Sequence, residues 1–373
     1  MNTDVNMARV RAYGSAHRYF QGPGALGLVG GMCASLGAQP VLVADATVAQ
    51  LVWEPLRSGC AGHGLQLEWV ESSGDVTRAL VRSLVETATA SGGKPDVVIA
   101  AGGGKGVDTG KAVSRELSAR LVVLPTSASN DGPCSESFVY YNERHEMESV
   151  EHLPRNPDAV IVDTQVLIKA PRALLVSGIG DALCKLYEGQ QARAAKGLNL
   201  FGGRGTVAAQ QLSLACERVI REHAAAGLRA LDAGVPDAAF ENLTEGLVLL
   251  AGLAFENSGL SIAHSMTRGL TLVPRIASQL HGQQVGYGLL VQFALERRDA
   301  DFMAEQLRFH RSVGLATSLR ELGGAEPDGA VIRRIAQGAM TAPHLQHFDR
   351  PLGVADFEEA MAAVEAFSRA HKG

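Results

Sequence analysis

The chain has 373 residues, 46% of them apolar and 20% charged, with a formal net charge of −5. That length allows two cored domains, because single cores rarely grow past about 250–300 residues, and the composition excludes a disordered chain. The modest negative charge argues against a nucleic-acid partner, which needs a basic face.

The first residues, MNTDVNMARVRAYG, carry no apolar stretch of the signal-peptide kind. The most apolar window, Gly246–Phe255, is about half the ~20 residues that a membrane span needs, so no membrane association is predicted. Cysteines at 33, 60, 134, 184 and 216 are odd in number and irregularly spaced. They form no CxxC motif and fit reduced thiols in a cytoplasmic protein.

In chain order, Pro40–Asp45 is an apolar run ending in an acid, followed by a helix-like period over 47–56. A strand is predicted over 65–70 and a helix over 76–89. Further apolar runs occupy 97–101, 121–125 and 159–163, with a helix predicted over 107–117. Repeated strand–helix units with near-continuous apolar strands predict a doubly wound, Rossmann-like parallel sheet.

After Pro171 the strand signals stop. Helices are predicted over 172–195, 204–226, 237–257, 259–270, 281–298, 301–322 and 355–371. The expected organisation is an α/β domain over 1–168 and an all-α domain over 169–373, with a cleft between them. Ligands of such sheets sit beyond the strand C-terminal ends, where Asp45, Gly102–Gly104 and Thr126 fall.

The segment Ala100–Lys111, AAGGGKGVDTGK, lies between a predicted strand and a predicted helix. Gly102, Gly103 and Gly104 let the backbone approach a charged group, and the helix's first N–H groups attract phosphate. A Walker A loop would need Gly at 105 and Ser or Thr at 112; the chain has Lys105 and Ala112. This segment is not GxGxxG either. On these residues alone, a plain strand-to-helix turn is an equal alternative.

Asp181 precedes Lys185 by one helical turn, a pattern that also serves simply as an ion pair. His264 follows a very apolar stretch, and His281 stands at a predicted helix start. Two imidazoles and a carboxylate with an open fourth position are what a catalytic Zn²⁺ needs. Their spacing leaves structural roles for all three open. The turn-rich segment Leu124–Ser135 contains Asp131 and leaves the end of a predicted strand, where loops carry function in this architecture.

Together these segments resemble the glycerol dehydrogenase branch of the iron-containing (group III) alcohol dehydrogenase family. The resemblance rests on GGGKGVDTGK (102–111), PTSASNDGPCS (125–135), RNPDAVIVDT (155–164), GIGDAL (178–183), GLSIAH (259–264) and His281-Gly282, in that order. It implies a dehydroquinate synthase-like architecture. It also implies NAD at Asp45, Gly102, Gly103, Gly104, Lys105, Asp108, Thr126, Ser129, Ser135, Ser137 and Tyr141. One Zn²⁺, with Fe²⁺ as the alternative, would be held by Asp181, His264 and His281, and Asp131 would hold substrate hydroxyls.

The implied reaction interconverts a small vicinal diol, glycerol first, and its ketone, dihydroxyacetone, in a homo-oligomer; relatives are often octamers. Asn130, Gly132 and Ser137 depart from the family's usual residues, so the resemblance bears on the type of reaction more than on which alcohol is used. Three rivals stand beside this reading. They are a glycerol-1-phosphate dehydrogenase, a dehydroquinate synthase-like NAD- and metal-using lyase, and a non-catalytic nucleotide-binding protein.

Overall fold

A computed structural model gives the fold, and the structure describes residues 6–90, 93–143, 146–323 and 328–371. Among these, eight strands form: β1 Tyr19–Gly22, β2 Pro40–Ala44, β3 Glu68–Glu71, β4 Val97–Gly102, β5 Arg120–Pro125, β6 Ser137–Tyr141, β7 Met147–His152 and β8 Ala159–Asp163. The early helices are α1 Val29–Leu36, α2 Ala46–Gly62, α3 Arg78–Thr89, α4 Gly104–Leu117 and α5 Thr164–Leu167. Then follow α6 Arg172–Leu183, α7 Lys185–Ala194, α8 Val207–Ala233, α9 Ala238–Glu245, α10 Ala251–Ser258 and α11 Ile262–Leu270. The last are α12 Pro274–Ala277, α13 His281–Leu295, α14 Ala300–Val313, α15 Leu319–Gly323, α16 Gly329–Ala339 and α17 Val354–Ala370.

The chain divides into two compact units. One comprises Ser15–Pro171 and Arg229–Gly252, and the other Met1–Gly14, Arg172–Leu228 and Leu253–Gly373.

In the first unit a six-stranded sheet runs in the order β1-β8-β5-β4-β2-β3, every pairing parallel. Strands β2, β4 and β8 are buried at every residue, as expected of a sheet covered by helices on both faces. Leu42, Val52, Leu56, Ile99, Val122 and Ile161 lie in this core. From β2 the chain moves outward to β3, then returns to lay β4 on the other side of β2 and continues away through β5. The order therefore reverses between β2 and β4. The C-terminal ends of those two strands lead into Asp45 and Gly103, at the switch point where doubly wound sheets bind ligands.

The second unit is helical, and α13 is its axis, packed against α6, α11 and α17. The contacts are close because glycines meet backbone. A Cβ on Gly282 would fall 1.7 Å from the Ser177 carbonyl oxygen, and one on Gly288 2.4 Å from that of Ala263.

Several boundaries differ from those predicted. The strand expected over 65–70 begins at Glu68, because the Leu65 N–H donates to the Cys60 carbonyl and closes the end of α2. The helix expected over 172–195 is interrupted at Cys184, and 237–257 contains a π-turn at Gly246–Leu250. The stretch Ala238–Ser258 is long and apolar enough to cross a membrane by length and composition, but 61% of its apolar window is buried, as in a core helix. Strand β1, helices α1 and α16 and the antiparallel β6–β7 hairpin were not predicted.

Candidate metal centre and nucleotide turn

The metal-type cluster is assembled by helix geometry in the helical unit. Asp181 lies on α6 beside Gly180, whose missing Cβ admits the Gly282 carbonyl. Gly282 also donates its N–H to Ser177 Oγ at 3.1 Å. That crossing brings His281, the first residue of α13, to Asp181: Nε2 to Oδ1 is 3.8 Å. His264, on α11, puts its Nε2 3.3 Å from the same oxygen. One donor atom from each of the three lies within 4.8 Å of the others. Asp181 is buried and the His281 side chain is 49% exposed, so the cluster reaches solvent at His281.

Lys185 completes the centre. Its ammonium donates to Asp181 Oδ1 at 2.9 Å and stands 3.5 Å from His264 Nε2. Burial alone would push the Asp181 carboxyl up. The Lys185 ammonium and the two imidazoles outweigh it and hold the acid well below the usual carboxylate range.

Behind His264 sits Glu188, fully buried on α7. Its Oε2 lies 2.6 Å from His264 Nδ1, while Oε1 accepts from the backbone N–H groups of Ser261 and His264 at 2.8 and 3.0 Å. Burial raises this acid too, but His264 wins and draws it down to about 2. Two imidazoles, one charged carboxylate and an open side suit a divalent cation.

In the sheet unit, Gly102 ends β4 with φ near 149°, a conformation that favours glycine. A side chain there would crowd Gly106, and one on Gly104 would fall 2.4 Å from Asn130 Nδ2. Gly103 is the N-cap of α4, and no side chain caps that end. The turn thus presents helix N–H groups beside bare backbone, which suits phosphate. Asp45 caps α2, with Val48 N–H donating to its Oδ1 at 2.9 Å.

The other residues expected at the nucleotide are placed unevenly. Thr126, Ser129 and Tyr141 are part-exposed. Lys105 is exposed and pairs with Asp75. Asp108 accepts from Val139 N–H at 3.1 Å, and burial, with Asp131 adding, pushes its acid up to about 6 against the pull of Lys111. Ser135 and Ser137 face inward: the Ser135 hydroxyl accepts from Ser137 N–H at 3.1 Å, and Ser137 Oγ meets His152 Nδ1 at 3.1 Å.

Asp131 begins the short turn Gly132–Cys134. The loop around it is held from beneath by Lys111, fully buried, which donates to the carbonyls of Gly132 and Ser137 at 2.7 Å each. Neither Lys111 nor Glu188 was singled out from the sequence. Glu188 had a signal, an acid two helical turns after Asp181; Lys111 had only its place in the glycine-rich segment.

The comparisons with known proteins decide the family. Residues 20–171 match the model of the iron-containing alcohol dehydrogenases. The glycolaldehyde reductase of Halobacterium salinarum is 34% identical over 91% of this chain and 92% of its own length. The glycerol dehydrogenase of Pseudomonas putida is 33% identical, with 92% and 93% covered. The crystal structure of a probable glycerol dehydrogenase from Sinorhizobium meliloti superposes with a TM-score of 0.90 at 33% identity, covering 97% of this chain and all of that one. The chain belongs to the iron-containing alcohol dehydrogenase family, in its glycerol dehydrogenase branch. It is an alcohol-type oxidoreductase, and the doubly wound sheet with a helical second part is the family's architecture.

Proposed function

We propose that the protein is an NAD- and metal-dependent dehydrogenase that interconverts a small vicinal diol and its ketone, glycerol and dihydroxyacetone first. The observation that carries this reading is the meeting of Asp181, His264 and His281 donor atoms within 4.8 Å, in a chain about one-third identical to glycerol dehydrogenases over nearly its whole length. The same similarity favours a polyol oxidoreductase over a glycerol-1-phosphate dehydrogenase or a dehydroquinate synthase-like lyase.

Asp181, His264 and His281 would hold the metal, Zn²⁺ by donor type, with Fe²⁺ the alternative because such sites select weakly. When bound, the metal supplies a Lewis acid for the alcohol oxygen, and NAD supplies the hydride acceptor. The chain's own part is binding and orientation. The Gly102–Gly104 turn, with Lys105, would take the pyrophosphate. Asp45 would accept from ribose hydroxyls with the carboxylate that already caps α2, and its charge would disfavour a 2′-phosphate, hence NAD over NADP. Asp108, Thr126, Ser129 and Tyr141 would border the cofactor, while Ser135 and Ser137 would act through the loop they brace. Asp131 would accept a hydrogen bond from the substrate hydroxyl that is not oxidised.

We assign the sheet-containing part to NAD and the helical part to the metal, in a homo-oligomer working in the cytoplasm. The five free, buried cysteines support that compartment.

The test is NAD-linked turnover of glycerol, dihydroxyacetone and glycolaldehyde, paired with elemental analysis. Asp181→Asn should strip the metal and lower kcat/KM on the order of 10³-fold, the scale of losing several kcal/mol of Lewis-acid stabilisation. Undiminished metal content and turnover in that variant would reject the ligand assignment.

A further inference from the structure

We propose that Glu188 is a positioning residue that fixes which nitrogen of His264 faces the metal centre. This rests on the reading of Asp181, His264 and His281 as the ligands.

Glu188 has one oxygen for each of two tasks. Oε1 is anchored by the N–H groups of Ser261 and His264, the first turn of α11, which has no side-chain cap of its own. Anchored there, the carboxylate cannot swing away, and Oε2 is left 2.6 Å from His264 Nδ1. An ionised carboxylate accepts and cannot donate. The ring must therefore place a proton on Nδ1, and the nitrogen free to offer a lone pair is Nε2, on the edge that faces Asp181 Oδ1 at 3.3 Å. Partners of this kind on the far nitrogen of a ligating histidine orient the ring and raise its basicity.

A rival geometry exists in the same place. Cys184, Glu188 and His264 also offer three donors within 4.8 Å of one another. In that arrangement Glu188 would be a ligand, and Nδ1 rather than Nε2 would hold the ion. Cys184 Sγ stands 3.8 Å from Nδ1 and 3.0 Å from the Asp181 carbonyl.

Glu188→Gln separates the possibilities because it keeps shape while reversing sense. With its oxygen still anchored to α11, the amide would donate to Nδ1 and drive the ring proton to Nε2, where it blocks the lone pair. Cobalt(II) alone is the probe, titrated into metal-free protein against a chelator, with its visible spectrum recorded. NAD affinity and the melting temperature serve as controls for folding.

The expected result is that wild type and Cys184→Ala bind one Co²⁺ equally, whereas Glu188→Gln binds 10–100-fold more weakly with an altered ligand-field spectrum and normal NAD affinity. Unchanged Co²⁺ affinity in Glu188→Gln, with Asp181→Asn losing the ion, would overturn this inference and leave the ligand reading standing. A thiolate-to-cobalt charge-transfer band that Cys184→Ala abolishes would overturn it in favour of the rival set. No stoichiometric Co²⁺ in the wild type would overturn the ligand reading and this inference with it.

Discussion

Among the described residues, each unit buries one lysine, Lys111 in the first and Lys185 in the second, and the two are satisfied in different ways. Lys111, under the sheet's ligand-side loop, donates to the carbonyls of Gly132 and Ser137 and to Ser135 Oγ. Lys185, among the helices, donates to the Asp181 carboxylate. The first pattern uses a cation to pin backbone. The second balances charge at a cluster with metal-type donors. Burying an ammonium is costly without such partners, so the partner shows which job the lysine does.

The largest effects should come from removing these cations. Lys185→Met leaves Asp181 without the Lys185 ammonium, and losing one member of a buried pair costs about 3–5 kcal/mol. Metal-free Lys185→Met should therefore melt well below the wild type, and Zn²⁺ should recover most of the loss by supplying the missing positive charge. Lys111→Met should also melt lower, by the loss of hydrogen bonds from a charged donor at about 1.5–3 kcal/mol each, but Zn²⁺ should return none of its own deficit. Equal rescue of both variants in a thermal-shift titration would erase the distinction between the two lysines.

Next in size is Asp131, which sits in the loop that Lys111 pins. Asp131→Asn should lower kcat/KM for diols by roughly 10- to 150-fold, the worth of about 1.5–3 kcal/mol, with Zn²⁺ content and NAD affinity near normal. Wild-type kinetics on glycerol would remove Asp131 from the substrate site.

The two regions also differed in how far the sequence revealed them. The sheet was legible because its strands are short, wholly apolar runs: β2, β4, β5 and β8 all lie within a residue or two of their predicted places. The glycine turn is local as well, with strand, turn and helix following one another. The β6–β7 hairpin was missed because Met147–His152 is polar and largely exposed, so its strand character comes from pairing rather than burial. Helix α1 was missed because Gly30 and Gly31 weaken helix propensity. Gly30 is needed there, since a Cβ would fall 2.2 Å from the Gly59 carbonyl.

The metal-type cluster had the opposite character. Asp181, His264 and His281 come from three helices, and only a family resemblance could nominate them together. The Asp181–Lys185 ion pair, legible as a one-turn spacing, exists alongside the cluster rather than instead of it. What no local pattern could supply was Glu188 behind His264, because its role depends on how α7 meets the start of α11.

The smallest expected effect tests the sheet region by pH. Asp108 carries an acid pushed up to about 6, mainly by burial, with Asp131 adding and Lys111 opposing. A carboxyl whose pKa is higher folded than unfolded binds its proton more tightly in the native state. Its contribution to stability is therefore complete below the unfolded value near 4 and is lost as pH rises through 6. Asp108→Asn removes that titration while keeping an acceptor for Val139 N–H. The variant should be more stable than wild type at pH 7–8 by about 1–2 kcal/mol, less than the full shift implies because the side chain is partly exposed. The advantage should shrink as pH falls from 6 towards 4, read as melting temperature against pH. A constant offset across that range would mean that the Asp108 charge is not what the fold pays for at neutral pH. A weaker NAD affinity in the same variant would add a cofactor role to the structural one, because Asp108 lies four residues after Gly104, where the glycine turn ends and α4 begins.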